Sequence, residues 1–167
     1  MSNKMQATAT AEAHLFGALA ASSNHYNIEK IRAAYEYAAM LHEGQTRKSG
    51  EPYICHPLAV AQIVISLGLD TDSICAALLH DTVEDCADKT NLKEIEKRFG
   101  ADVALIVGGL TKIVILKVED KEESHIETLR KMLLAMARDV RVIFIKLCDR
   151  LHNMRLDCSS HRHLFSF

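Results

Sequence analysis

The stretch Ile74 to Leu79 is uniformly apolar and runs directly into His80-Asp81-Thr82-Val83-Glu84-Asp85. A core helix has no need of such an ending. An unpaired buried carboxylate is costly, so Asp81, Glu84 and Asp85 are expected to be solvated, paired or bound to a metal. Adjacent His80 and Asp81 can turn towards one ion at a helix end but cannot complete its shell. The candidates for the remaining ligands are His56, ahead of Pro57, and Asp149, within Lys146-Leu147-Cys148-Asp149-Arg150-Leu151-His152-Asn153. Two imidazoles with two carboxylates favour Mn²⁺, Fe²⁺ or Zn²⁺ over Mg²⁺, which prefers oxygen ligands alone. Each residue also has a plain structural use. His56 can cap a helix, His80 and Asp81 can be a hydrogen-bonded couple, and Glu84 and Asp85 can be a solvated helix end. Arg47 and Lys48 suit an exposed loop, Asn153 a helix cap, and Lys146 and Arg150 one helical face or a pair with Asp149. His42, His125 and His152 read as structural or surface histidines.

The elements that must position these groups are helical. Ile28, Ile31, Tyr35, Ala38, Ala39 and His42 recur at helical spacing, with Asn27 able to cap the start and Gly44 to end the turn. Pro57 suits a first helical position and opens Leu58 to Leu67, with Gly68 as the stop, which places His56 at the helix entrance. A third helix is expected from Ser73 to Glu84. A fourth follows Asn91, which with Glu94 resembles a capping box, and ends at Phe99 before Gly100. Further helices are expected over Ala101 to Val107 and Glu122 to Asp139. Val140 to Leu147 is rich in β-branched residues, but Ile143, Leu147, Leu151 and Met154 continue a helical period. The fold class is all-α.

The chain of 167 residues fits one domain and leaves no room for a second enzymatic one. Its formal net charge of -2 gives no global attraction to nucleic acid or an anionic membrane, so any phosphate binding must be local. Direct nucleic-acid binding is not expected. Arg47, and secondarily Lys48, Lys112, Lys146 and Arg150, are the cations available to clamp an anionic substrate. No apolar run approaches the roughly 20 residues needed to span a bilayer, so no membrane association is expected. The scattered cysteines Cys55, Cys75, Cys86, Cys148 and Cys158 read as reduced thiols, and a cytoplasmic location is expected.

Three segments, in order, carry a family resemblance: His42 to Pro57 with its Arg47-Lys48-Ser49-Gly50-Glu51-Pro52-Tyr53 loop, Ala76 to Asp85, and Ile145 to Arg155. Together they closely resemble the hydrolase domain of RelA/SpoT homologues, with Phe99-Gly100, Gly109-Leu110-Thr111-Lys112 and Arg130 to Met136 in support. The resemblance implies a helical HD-superfamily phosphohydrolase domain that binds one Mn²⁺ through His56, His80, Asp81 and Asp149. It implies that Glu84 and Asp85 assist the attacking water. It further implies that Arg47, Lys48 and Ser49 hold a guanine nucleotide, with Asn153 in the same pocket. The expected activity is (p)ppGpp 3′-pyrophosphohydrolase, giving GDP or GTP and pyrophosphate in the stringent response. The alternatives are a phosphohydrolase acting on another nucleotide, or a catalytically inert fragment that binds (p)ppGpp or a partner.

The resemblance stops after Arg155, where Leu156 stands in place of the family's Thr. The expected organisation is a loosely ordered lead-in over 1–24, the hydrolase domain over 25–156, and a tail over 157–167 without family resemblance. The domain is expected to be C-terminally truncated and to self-associate through an exposed face of its last helix.

Overall fold

The computed structural model describes residues 3–115 and 139–162, and side chains over 5–111 and 139–155. Among the described residues there are helices and no strand: α1 (Asn3–Ala21), α2 (Ile28–Leu41), α3 (Cys55–Ser66), α4 (Thr71–Leu79), α5 (Thr82–Asp85), α6 (Leu92–Phe99), α7 (Ala101–Ile115) and α8 (Arg141–Arg162). The helix expected over Glu122 to Asp139 lies almost wholly outside the described residues, as does the Lys112 side chain. None of the described helices is long and apolar enough to cross a membrane.

The centre of the fold is α4, packed against α2, α3 and α7, while α8 lies across α3 and α7. Residues Ile74 to Leu79 are all fully buried, in keeping with an apolar run that offers no polar face. Asp70 caps α4 by accepting from the Ser73 amide and hydroxyl, and Asn27 caps α2 by accepting from the Lys30 amide at 3.0 Å. At α6, Asn91 accepts from the Glu94 amide, but Glu94 turns its carboxylate to Arg98 at 2.6 Å, so only half of the expected capping box forms.

Several boundaries differ from the sequence expectation, each for a local reason. Within the lead-in, Asn3–Ala21 form a helix: Ala-rich residues favour it, and Leu15 and Leu19, one turn apart, are buried as α1 packs on α3. Helix α3 begins two residues before Pro57, which is tolerated there because first-turn amides have no intrahelical acceptor. His56 therefore sits within the first turn, not ahead of it. The helix expected from Ser73 to Glu84 breaks at His80-Asp81, where the Thr82 hydroxyl donates to the Leu79 carbonyl at 2.7 Å. Helix α7 continues through Gly108-Gly109, which serve as close-packing positions and not as a stop. A Cβ at Gly109 would lie 2.8 Å from Val142 Cγ2 on α8. Finally, α8 extends to Arg162, so 157–162 belong to the helix and not to a separate tail.

Candidate metal centre

Three elements converge on one point. The first turn of α3 supplies His56, the break between α4 and α5 supplies His80 and Asp81, and the middle of α8 supplies Asp149. His80 Nε2 lies 3.0 Å from Asp81 Oδ2 and 3.9 Å from Asp149 Oδ1. His56 Nε2 lies 3.2 Å from Asp149 Oδ1 and 3.8 Å from Asp81 Oδ2. Ligand atoms of His56, His80 and Asp81 all fall within 4.8 Å of one another.

The donor set fits a divalent cation on an observation internal to the site. His80 Nδ1 is 2.8 Å from the Ala77 carbonyl, so its proton is held there and Nε2 turns towards the carboxylates. That Nε2 is buried and makes no hydrogen bond, although Asp81 Oδ2 is close by. A nitrogen buried beside two carboxylates calls for positive charge, supplied by a proton or by a cation. Burial opposes charging His80, but Asp81 and Asp149 outweigh it and push its pKa up to about 9. Burial likewise works against the charges of Asp81 and Asp149. Their histidine neighbours and hydrogen-bond donors nonetheless hold both carboxyls well below the usual carboxylate range.

Each candidate ligand is braced from behind. Tyr53 donates to Asp81 Oδ2 at 2.7 Å and stacks on buried His42, with ring centroids 4.6 Å apart. Asp149 accepts from Lys146 Nζ and from Asn153 Nδ2, both at 2.8 Å. His56 Nδ1 faces His152 Nδ1 at 2.8 Å. Among the described residues, Lys146 is thus a buried partner of Asp149 and not a free clamp for a substrate.

The basic loop reaches the same place. An antiparallel bridge between Thr46 and Pro52 and a turn from Arg47 to Gly50 close it, with Gly50 in the left-handed region at φ 82°. Lys48 and Ser49 are the exposed tip. Arg47 folds back and donates from NH2 to Asn153 Oδ1 at 2.6 Å, while its NH1 is buried without a partner among the described residues. Glu84 and Asp85 stand on α5 just beyond Asp81, both exposed. Partial burial and the carboxylates of Asp81 and Asp85 raise the Glu84 pKa.

Sequence comparison places this arrangement. A family model described as HD domain matches residues 34–163.

The chain belongs to the HD domain family.

Within that family its relatives are SpoT and RelA proteins. It is 52% identical over 128 residues to the guanosine-3′,5′-bis(diphosphate) 3′-pyrophosphohydrolase of Vibrio cholerae, an alignment covering 77% of this chain and 18% of the relative. It is 51% identical over the same length to the bifunctional (p)ppGpp synthase/hydrolase SpoT of Escherichia coli K12, again 77% and 18%. The GTP pyrophosphokinase of Streptomyces coelicolor is also 51% identical, with 15% of its length covered. The chain thus spans less than a fifth of these relatives. A solved structure of a metazoan SpoT ortholog that hydrolyzes ppGpp matches with a TM-score of 0.61 and 30% identity, over 79% of this chain and 72% of that one. The HD domain match also runs past Arg155, where the sequence resemblance was expected to stop.

The structure brings together His56, His80, Asp81 and Asp149, and links Asn153 and Arg47 to them, whereas Lys48 and Ser49 stay at the loop tip. Sequence reading missed Tyr53 and His152. Both had a signal: Tyr53 lies one turn before His56, and His152 lies three residues after Asp149, on the same helical face.

Proposed function

We propose that this HD domain is a metal-dependent (p)ppGpp 3′-pyrophosphohydrolase, with Mn²⁺ as its cation. His56, His80, Asp81 and Asp149 would hold the divalent cation, which would supply Lewis acidity to acidify water and neutralise phosphate charge. The chain's own residues do the rest. Glu84, whose pKa is raised, accepts the proton of the attacking water, and Asp85 beside it orients that water. Arg47 offers its unpartnered NH1 to an acceptor on the guanine nucleotide, with Asn153 beside it and Lys48 and Ser49 at the rim. Water adds to the phosphorus bonded to the ribose 3′-oxygen, that P–O bond breaks, the 3′-oxygen takes up a proton to become a hydroxyl, and GDP or GTP leaves with pyrophosphate.

The observation that carries this reading is the buried Nε2 of His80 facing two carboxylates, one of them linked by two hydrogen bonds through Asn153 to an arginine with a spare donor. The names of relatives about half identical over this region support the choice of substrate. The test is to incubate the pure chain with ppGpp and Mn²⁺ and identify the products. GDP with pyrophosphate is expected, and none without metal. Release of orthophosphate, or turnover of other nucleotides at equal rate, would remove the assignment.

A further inference from the structure

The two candidate ligand histidines are held in different ways. His80 has its Nδ1–H on a backbone carbonyl, the Ala77 oxygen, which can only accept. Its Nε2 is therefore fixed as the nitrogen turned towards the carboxylates. His56 has no such fixed acceptor. Its Nδ1 meets Nδ1 of His152 at 2.8 Å, and either nitrogen of that pair can hold the shared proton.

The two directions of this hydrogen bond have opposite consequences. If His152 donates, His56 carries its own proton on Nε2, 3.2 Å from Asp149 Oδ1, and cannot ligate. If His152 accepts, the His56 proton sits on Nδ1 and Nε2 presents a lone pair to the same point as His80 Nε2. The rings are tilted by 31° with centroids 5.0 Å apart, so the contact is edge-on through the nitrogens and not a stack. His152 is half-buried, and as a neutral imidazole it can accept through an unprotonated Nδ1.

We infer that His152 is a positioning residue that selects the ligating tautomer of His56 by accepting its Nδ1–H. This rests on the reading of His56 as a metal ligand. It gives α8 two roles: Asp149 reaches the cation directly, and His152, one turn further on, acts through His56. Outer partners of ligand histidines typically contribute 10–100-fold to metal affinity.

The test uses Mn²⁺ affinity, followed by the electron paramagnetic resonance of free Mn²⁺. His152→Leu, which cannot accept, should bind roughly 10–100-fold more weakly than wild type. His152→Gln, whose side-chain carbonyl can accept, should recover most of that loss. Equal binding by wild type and His152→Leu, or equal loss in both variants, overturns the inference. Failure of wild type to bind Mn²⁺ would instead overturn the metal centre itself. Should His152→Leu fail to fold, ¹H–¹⁵N correlation spectra of the Zn²⁺-loaded wild type decide the matter. A proton on His56 Nδ1 and none on His152 Nδ1 is expected; the reverse overturns it.

Discussion

The two halves of the candidate metal centre rest on different foundations. His56, His80 and Asp81 come from α3 and the end of α4, helices whose packing residues Leu58, Val60, Ile74, Leu78 and Leu79 are fully buried. Asp149, His152 and Asn153 come from α8, whose described side chains are buried on one side only. Val142, Ile145 and Cys148 seat it against the core, while Phe144, Leu147, Leu151 and Met154 form a stripe between 41% and 64% exposed. The first half is part of the core, whereas the second depends on how well one helix is seated. Metal binding should therefore couple the seating of α8 to the rest of the domain.

The largest effects should come from the ligands and should differ between the halves. His80→Ala should abolish Mn²⁺ binding and hydrolysis, since Nε2 is the atom that asks for the cation. Asp149→Ala should abolish both and also destabilise the metal-free chain by about 3 kcal/mol, because it leaves Lys146 buried and charged without its partner. Calorimetric Mn²⁺ titration and chemical denaturation of the two variants measure this; equal metal-free stabilities would erase the distinction.

Next in size is Glu84→Gln. It should keep metal and nucleotide binding while slowing kcat by roughly 10²–10⁴-fold, the usual range for a lost general acid or base. Near-normal turnover would leave Glu84 as an exposed helix end.

The seating of α8 can be tested away from the site. Gly109→Ala places a methyl group 2.8 Å from Val142 Cγ2 and should cost about 1–3 kcal/mol of metal-free stability. Because Asp149 is carried on α8, the same substitution should weaken Mn²⁺ binding as well, although Gly109 touches no ligand. A loss of stability with unchanged affinity would show that α8 is held independently.

The smallest effect concerns pH. Arg141 pins the start of α8, bonding Asp139 at 2.7 Å and Asp70, the cap of α4, at 2.7 Å. Its hydrogen bonds hold Asp139 below the usual carboxylate range, and Ser73 with Arg141 does the same for Asp70 against the effect of burial. Depressed carboxyl pKa values stabilise the fold above the unfolded value of about 3.8 and lose that contribution as pH falls through the folded value. Arg141→Met should lower Tm modestly at pH 7, and the difference from wild type should shrink as pH drops below 4. A difference that persists in acid would mean that Arg141 acts through packing.

Much of this was legible in the sequence because the signals are local. The apolar run of α4 ending in His80-Asp81 gave both a buried helix and two candidate ligands, and Asn27, Asn91 and Gly68 marked helix ends. The break after Leu79 was hidden, because it depends on Thr82 taking the Leu79 carbonyl rather than on a proline or glycine. Gly108-Gly109 misled for the opposite reason: glycine reads as a stop, and only the approach of α8 shows that it is a contact. Tyr53 and His152 were passed over since their roles are defined by partners 28 and 96 residues away in the chain. Lys146 suits either a clamp or a partner by sequence, and its 2.8 Å bond to Asp149 makes it the partner.

The most direct test of the two-half centre is anomalous diffraction at the manganese edge from crystals of the chain grown with Mn²⁺. One peak per chain is expected, bonded at once to His56 Nε2, His80 Nε2, Asp81 and Asp149. A peak that contacts only the histidines and Asp81, with Asp149 still paired to Lys146 and turned away, would contradict the claim that α8 completes the site.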